Sequence, residues 1–260
     1  MNNKRIGLVL SGGGHKGIAH AGALAFLQEK NIYPTILAGA SAGSIVSCLY
    51  SIGMEPKQIL HFFKSVNIFN WEFLTWSKPG IIDVNAFEKY LKRVFEDKTL
   101  GDLPLPVYIN ATNIATGRIH LFSRQTKVVD AILASCAFPG IFTPYKIDDI
   151  VFSDGGILNN FPTDIIKYDC DLLIGCNVCP IQQIDANELK SIKSVAVRAY
   201  ELMAAMQNRT QGQLCDWLIE PIGLTAYSTF ERNKKRMDEI FELGYTSAKN
   251  SYEQQAYKFA

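Results

Sequence analysis

The sequence predicts an α/β protein, built as a three-layer α/β/α sandwich around a central, mostly parallel sheet. Short apolar runs alternate along the chain with segments of helical length, and no repeat, low-complexity tract or linker divides the 260 residues. This alternation favours a parallel sheet, because two parallel strands need a long crossover between them. The composition, with 48% hydrophobic and 20% charged residues, is ordinary for a protein with a sizeable core.

Each predicted strand is a short run rich in Val, Ile and Leu with turn residues beside it. These strands are Ile6–Leu10, Thr35–Ala38, Val107–Thr112, Ile119–Phe122, Ile150–Phe152, Leu172–Asn177 and Trp217–Glu220. The predicted helices are Ile18–Glu29, Gly43–Ser51, Pro56–Ser65, Val84–Glu96, Lys127–Ala134, Ala186–Met206 and Phe230–Ser251. In a sheet of this kind, ligand sites form at the carboxyl ends of the strands.

Charge and hydropathy argue against several classes of protein. A net charge of +1 is unlike a nucleic-acid-binding protein, which usually has a basic surplus. No apolar run approaches the roughly 18 residues of a transmembrane helix. The apolar stretch after Arg5 is too short for a secretory signal. We therefore expect a cytoplasmic protein without a transmembrane segment, whose contact with a membrane would be peripheral.

The six cysteines predict neither a disulfide framework nor a metal site. Cys176 and Cys179 form the one pair with metal-ligand spacing, and no histidine follows His120 to complete a zinc site. The pair ends a predicted buried strand, where two unreactive thiols are the simpler interpretation. We expect no metal and no cofactor.

The loop after the first strand has the G-x-G-x-x-G spacing of a dinucleotide-binding turn. A P-loop would need Lys followed by Ser or Thr where Ile18 and Ala19 stand. A dinucleotide site would also need an acid near the end of the second strand, and no Asp or Glu lies between Glu29 and Glu55. The glycines therefore predict a role other than cofactor binding.

The loop after the second strand, GASAG at Gly39–Gly43, has the G-x-S-x-G pattern of a nucleophile elbow. The serine of such an elbow sits on a tight strand-to-helix turn, and the flanking glycines remove side chains that would collide there. The pattern lies between a predicted strand and a predicted helix, as the elbow requires. Ser41 is the candidate nucleophile.

With Ser41 as nucleophile, the first glycine loop acquires a role. Acyl transfer develops an oxyanion, which is stabilised by converging backbone N–H groups. The consecutive glycines Gly12, Gly13 and Gly14 are the candidate donors. Lys16 would add positive charge near them or bind a carbonyl; a solvated lysine is the alternative.

The base is predicted to be a carboxylate, since the histidines are poorly placed for a triad. An α/β-hydrolase has its histidine late in the chain, whereas the last 140 residues here contain none. His61 and His120 are interpreted as surface or packing residues, and His15 lies within the glycine loop itself. Asp154 is the best candidate, in a polar loop after a short strand and followed by Gly155 and Gly156.

These residues resemble the patatin-like phospholipases, acyl hydrolases with a serine–aspartate dyad. Four blocks match in order: GGGHKG (Gly12–Gly17), GASAG (Gly39–Gly43), ASCAFPGIFTP (Ala134–Pro144) and DGG (Asp154–Gly156). The resemblance implies catalysis by Ser41 and Asp154. The oxyanion loop is Gly12–Gly14, and the supporting motif residues are Lys16, Gly17, Gly39, Gly43, Gly155 and Gly156. The resemblance covers roughly Ile6–Asn160 and implies a catalytic domain over residues 6–167. The α/β pattern continues beyond it, so we predict residues 168–260 to be a continuation of the same domain.

The implied function is hydrolysis of lipid acyl esters, of the phospholipase A or esterase type, through an acyl-enzyme. The alternatives are a lipid transacylase and a non-catalytic α/β protein that binds lipid or nucleotide. The expected partner is a lipid or acyl ester, with a membrane surface as one setting, and no nucleic acid. Headgroup, chain length and oligomeric state stay open. The aromatic-rich stretch Phe62–Trp76 is predicted to form the acyl pocket or its entrance, with packed core as the alternative.

Overall fold

The computed structural model describes residues 4–66, 80, 82–181 and 183–255. Within them lies an eight-stranded sheet. Its strands are β1 (Ile6–Leu10), β2 (Ile36–Gly39), β3 (Val107–Asn113), β4 (Arg118–Leu121), β5 (Tyr145–Ile147), β6 (Ile150–Ser153), β7 (Leu172–Cys176) and β8 (Trp217–Ile219). The α-helices are α1 (Ile18–Glu29), α2 (Ala42–Ser51), α3 (Pro56–Ser65), α4 (Glu88–Phe95), α5 (Val128–Ser135), α6 (Gly156–Asn159), α7 (Thr163–Ile166), α8 (Ile192–Gly212) and α9 (Lys234–Gln255).

The sheet is parallel through its centre and antiparallel at one end. Its order is β5-β6-β3-β2-β1-β7-β8, with β4 also paired to β3. Strands β3, β2, β1, β7 and β8 run parallel, whereas β4, β5 and β6 pair antiparallel. Leu10, the last residue of β1, is paired with Gly39 of β2 and with Cys176 of β7. The carboxyl ends of three neighbouring strands therefore lie at one edge, where the loops after them meet.

Helices cover both faces of the sheet, which gives the three layers that the sequence predicts. Successive residues of β1 alternate between two hydrophobic cores: Leu8 and Leu10 belong to the larger and Val9 to the smaller. The larger core contains side chains of α1, α2, α5 and α9; the smaller contains Phe161 and Ile166.

Side-chain caps set the boundaries of the two long C-terminal helices, which begin later than predicted. The Ser191 hydroxyl accepts the backbone N–H of Ser194 (3.0 Å) and starts α8 at Ile192, whereas the prediction starts at Ala186. The Asn233 side chain accepts the N–H of Lys235 (2.9 Å) at the start of α9. The predicted helix Val84–Glu96 begins as a 3-10 turn, Val84–Phe87, before α4.

Three short elements, β5, α6 and α7, are absent from the sequence prediction. Strand β5 pairs with β6 through a hairpin whose turn contains Asp148 at φ 51°. Helices α6 and α7 have four residues each, too few to show a helical period. Among the helices that the structure describes, none combines the length and apolar character needed to cross a membrane.

Candidate active site

Ser41 lies on a strained turn between β2 and α2, with φ 49° and ψ −122°. The glycines of the G-x-S-x-G pattern allow the close contact between strand and helix. A Cβ on Gly39 would collide with the backbone of Gly43, and one on Gly43 with the backbone carbonyl of Leu10. The Ser41 N–H donates to Ser135 Oγ (2.8 Å), which ties the turn to the end of α5. The turn has the geometry of a nucleophile elbow.

Asp154 follows β6 and lies in the same pocket as Ser41, with 1% of its surface exposed. Its Oδ1 accepts the N–H of Gly156 (2.8 Å) and the hydroxyl of Tyr200 (3.2 Å). Its Oδ2 is buried and accepts no hydrogen bond from any residue that the structure describes. The carboxylate is therefore held by one oxygen while the other is available to take up a proton.

Burial raises the pKa of Asp154 to about 6, because the charged carboxylate loses its hydration. The hydrogen bonds from Gly156 and Tyr200 and the nearby Ser41 hydroxyl oppose this rise in pKa, since each favours the charged form. Asp154 is thus mostly ionised at neutral pH and far more basic than an exposed aspartate, which is what a general base for a hydroxyl requires.

The segment after α5 connects the two candidate catalytic residues. Ser135 binds the Ser41 N–H through its hydroxyl, and its carbonyl accepts the N–H of Gly155 (3.1 Å). The carbonyl of Ala137 accepts the N–H of Asp154 (2.9 Å). This explains the third block of the resemblance, for which residue chemistry alone suggests no role. Its Ser135 hydroxyl and its backbone carbonyls fix the position of Asp154 relative to Ser41.

The first glycine loop borders Ser41, but its three glycines differ in what their amides do. A Cβ on Gly12 would lie 3.2 Å from Ser41 Cβ, so this residue lies beside the nucleophile. Its N–H, however, donates to the Asn160 carbonyl (3.0 Å), so an oxyanion would have to compete with that carbonyl for this N–H. The amides of Gly13 and Gly14 have no partner among the described residues and remain candidates.

Lys16 is buried, and the solvated alternative is wrong. Its Nζ lies 3.2 Å from Glu201 Oε1 on α8, and Thr229 Oγ1 donates to the same oxygen (3.1 Å). Glu201 also pairs with Arg198 through its other oxygen (3.7 Å). The Lys16–Glu201 ion pair anchors the loop to α8. A Cβ on Gly17 would lie 2.6 Å from Ala42 Cβ, so this glycine lets α1 begin against α2.

An apolar pocket of roughly 970 Å³, measured out to its mouth, opens beside Ser41 and Asp154. Its apolar lining comes from distant parts of the chain: Ile45, Phe63, Val66, Val84, Phe87, Phe138, Phe142, Val197 and Phe230. A pocket with this lining accommodates a hydrocarbon chain better than a sugar or a nucleotide.

Comparison with known proteins identifies the family of this chain. The family model described as Patatin-like phospholipase matches residues 8–167, more than half of the chain. The chain belongs to the patatin-like phospholipase family. The match ends at α7, so the family model does not include Tyr200, Glu201 or the rest of α8.

Two relatives illustrate the family. Lysophospholipase nte1 of Aspergillus fumigatus is 26% identical over 285 aligned residues, which cover 96% of this chain and 18% of that protein. An uncharacterized NTE family protein of Mycobacterium tuberculosis is 24% identical over 97% of this chain and 47% of its own length. The chain thus spans less than half the length of either relative.

Among solved structures, VipD from Legionella pneumophila has the same fold, with a TM-score of 0.59 and 17% sequence identity. The similarity covers 97% of this chain and 67% of VipD. It therefore includes β7, β8 and the C-terminal helices of this patatin-like chain as well as the part that the family model matches.

The four histidines of this patatin-like chain are all described, and only His15 lines the pocket. Burial lowers the pKa of His15. His20 is buried in α1, with Nε2 2.9 Å from the Ser11 carbonyl, and burial lowers its pKa to about 4. His120 packs against the rings of Phe122 and Phe152, and His61 is exposed on α3.

Tyr200 and Glu201 are the site residues that sequence reasoning missed. Their positions in α8, three and four residues after Val197, place all three on one face of the helix, towards the pocket. A helical period could have grouped them, but nothing in the sequence says which face of α8 meets Asp154. Of the aromatic-rich stretch Phe62–Trp76, Phe63 and Val66 line the pocket, while residues 67–76 lie outside the described residues.

Proposed function

We propose that this patatin-like protein is a lipid acyl hydrolase of the phospholipase A or esterase type, acting through Ser41 and Asp154. One observation carries the proposal: a buried carboxylate with an unpartnered oxygen shares an apolar pocket with a serine on a strained elbow. Strained turns and unpaired buried oxygens destabilise a fold, so both together favour a catalytic role.

In the proposed first half-reaction, Ser41 Oγ attacks the ester carbonyl carbon while its proton moves to Asp154 Oδ2. The carbonyl oxygen becomes an oxyanion, which the amides of Gly13 and Gly14 stabilise by hydrogen bonds. The tetrahedral intermediate then expels the alcohol, which takes the proton from Asp154 and leaves an acyl group on Ser41.

In the second half-reaction, Asp154 Oδ2 removes a proton from a water molecule, which attacks the acyl carbon. Collapse of this intermediate releases the fatty acid, and Ser41 Oγ regains its proton from Asp154. Tyr200 and the Gly156 amide hold the other carboxylate oxygen throughout. The proposal assigns no step to a histidine or a metal.

We also propose that residues 168–260 continue the catalytic domain of residues 6–167. Strand β7 lies next to β1 in the sheet, and α8 supplies the hydroxyl that binds Asp154. Removal of the C-terminal part would therefore expose β1 and leave the carboxylate without one of its two partners.

The test is reaction of the purified chain with a fluorophosphonate, followed by mass-spectrometric mapping of the labelled residue. The same protein is then assayed on a panel from short p-nitrophenyl esters to phospholipids. We expect label on Ser41 and ester hydrolysis that Ser41→Ala abolishes, with little change in stability, because only one hydroxyl at a partly exposed turn is lost. Hydrolysis by Ser41→Ala at a rate near that of the parent would identify a different nucleophile.

A further inference from the structure

A series of hydrogen-bonded side chains crosses the carboxyl edge of the sheet beside the first glycine loop. Asn160 Nδ2 donates to Asn208 Oδ1 on α8 (3.2 Å), and Asn208 Nδ2 donates to Asn177 Oδ1 (2.7 Å). Asn177, directly after β7, donates through Nδ2 to Glu220 Oε1, directly after β8 (2.7 Å). The three asparagines have between 1% and 3% of their surface exposed. We call these four residues the amide network.

Glu220 sets the direction of the network. An ionised carboxylate can only accept hydrogen bonds, so Asn177 turns its NH₂ group towards Glu220 and its Oδ1 the other way. That Oδ1 accepts from Asn208 and also from the backbone N–H of Cys179 (3.1 Å). Asn208 Oδ1 therefore accepts from Asn160 Nδ2, and the orientation of each amide follows from that of its neighbour. Buried amides that bond one another in this way form a rigid unit.

At Asn160 the network meets both catalytic loops. The side-chain oxygen of Asn160 occupies the space that a Cβ on Gly12 or on Gly156 would need. The backbone carbonyl of Asn160 accepts the N–H of Gly12 (3.0 Å). Gly156 in turn donates to Asp154 Oδ1. Asn160 therefore contacts the glycine loop and the loop of the candidate base together.

At Asn177 the network reaches the glycine loop a second time. Asn177 Oδ1 binds the backbone N–H of Cys179, and the Cys179 thiol donates to the Gly12 carbonyl (3.3 Å). A Cβ on Gly13 would lie 3.1 Å from the same sulfur. The glycine loop is thus held at two points, and Asn208 is the side chain that joins them.

We propose that Asn208 is a positioning residue for the oxyanion loop, which it holds in place through Asn160 and Asn177. This inference rests on the proposed function, because the oxyanion is formed in that reaction. Amides stabilise an oxyanion when they are fixed in advance, and a displacement of about 1 Å caused by a distant substitution can cost about 100-fold in rate. Asn208, Asn177 and Glu220 lie beyond residues 8–167, so the part of the chain that the family model matches does not include this support.

The test compares two substitutions on successive turns of α8. Asn208→Leu replaces the amide by an apolar group of similar size and interrupts the network. The control Gln211→Leu removes the side-chain acceptor of the Thr163 hydroxyl and of the Asp164 N–H (3.2 Å), neither of which contacts the glycine loop. Both variants should have a lower Tm than the parent, because each leaves polar groups without a partner.

Activity on a short-chain p-nitrophenyl ester separates positioning from stability. We expect Asn208→Leu to lower kcat at least about tenfold with KM within about twofold, because the oxyanion forms only in the reaction. The kcat of Gln211→Leu should stay within about twofold of the parent. The smaller change Asn208→Ser, which cannot span both partners, should lower kcat at least about threefold and decides the matter if Asn208→Leu does not fold.

Two further readouts would not respond to a general loss of stability. The kcat defects of Asn208→Leu and Asn177→Leu should not multiply in the double variant, since either substitution interrupts the same network. The acid limb of the kcat/KM profile should stay where it is in the parent, because the hydrogen bonds from Gly156 and Tyr200 to Asp154 are kept. A shifted acid limb would assign the network to Asp154 and overturn the proposal.

The inference and the proposed function can fail separately. A parent that hydrolyses the ester, together with folded Asn208 variants of unchanged kcat, overturns the role of Asn208 alone. The same follows if Gln211→Leu loses as much kcat as Asn208→Leu, or if the defect of Asn208→Leu lies wholly in KM. A parent without ester hydrolysis would overturn the proposed function and, with it, this inference.

Discussion

The pocket has two kinds of wall, and they differ in how the sequence encodes them. On one side, the loops after β1 and β2 contribute backbone, and glycines stand where a Cβ would collide with neighbouring chain. On the other side, α8 contributes side chains, among them Tyr200 and Glu201. A backbone wall depends on fixed glycine positions and can be recognised as a motif. A side-chain wall depends on which face of a helix packs inward, and many sequences satisfy that condition.

The same difference between local backbone motifs and long-range side-chain contacts decides which features can be predicted from the sequence. Local patterns predict the central strands and the elbow, because a strand period and a G-x-S-x-G turn each involve residues close together in the chain. The ion pair between Lys16 and Glu201 joins residues 185 positions apart. The hydrogen bond between Gly12 and Asn160 also joins residues that are far apart in the chain. No local pattern in the sequence predicts such contacts.

The largest expected effect concerns Asp154, the group that both walls surround. Asp154→Asn keeps the shape and the acceptor for Gly156 and Tyr200 but removes the proton acceptor. We expect kcat/KM for a short-chain ester to fall by at least about 10³-fold, as for removal of an essential general base that also positions the nucleophile. For the parent, we expect kcat/KM to rise with pH through about 6 and then level, because the carboxylate form is the base.

The same substitution should stabilise the fold at neutral pH. The folded-state pKa of Asp154 is about 6, against 3.8 for an exposed aspartate. The folded protein therefore binds more protons between these values, and stability falls as pH rises through them. We expect Asp154→Asn to raise Tm by a few degrees at pH 7.5 and to lose this advantage near pH 4, where the carboxyl of the parent is protonated in the folded state. If Asp154→Asn instead had a lower Tm than the parent at pH 7.5, and the difference in Tm did not change with pH, the assignment of Asp154 as the base would be contradicted.

The backbone wall can be tested at Gly13. A Cβ there would lie 2.6 Å from Val178 Cγ2, so alanine must displace the loop whose amides are proposed to bind the oxyanion. We expect Gly13→Ala to lower kcat by about 10- to 100-fold with little change in KM, because the oxyanion forms only in the reaction.

The double variant Gly13→Ala/Val178→Ala is the matched control, since it removes the side chain that the new Cβ would meet. We expect it to recover a substantial part of the lost kcat, at some expense in Tm because Val178 is buried. If the defect of Gly13→Ala lies wholly in KM, the loop binds substrate rather than the oxyanion.

The side-chain wall can be tested at Tyr200, where a smaller effect is expected. Tyr200→Phe removes the hydroxyl that donates to Asp154 Oδ1 but preserves the ring contact with Phe138, whose centroid is 4.5 Å away. That hydrogen bond favours the carboxylate, so its loss should raise the pKa of Asp154. We expect the acid limb of the kcat/KM profile to move to higher pH and the plateau to fall by about two- to tenfold.

Phe138→Leu separates this role from packing. It disturbs the ring contact and the pocket lining but leaves the Tyr200 hydroxyl, so we expect a change in KM without a shift of the acid limb. A Tyr200→Phe profile that coincides with that of the parent would reduce Tyr200 to a structural residue.

The smallest expected effects are those of the histidines outside the pocket. His61 is exposed on α3, and His120 packs against two phenylalanine rings on the antiparallel part of the sheet. We expect His61→Ala to change neither kcat/KM nor Tm, and His120→Ala to lower Tm slightly through the lost ring contacts while kcat/KM stays within about twofold. We expect His15→Ala to lower kcat/KM by a few-fold more than these two variants, because the His15 ring lines the pocket. The loss stays modest because the substitution keeps the backbone N–H that donates to the Thr229 carbonyl. Steady-state assays of the three variants beside Asp154→Asn decide the matter, because a histidine variant as inactive as Asp154→Asn would require a triad in place of the dyad.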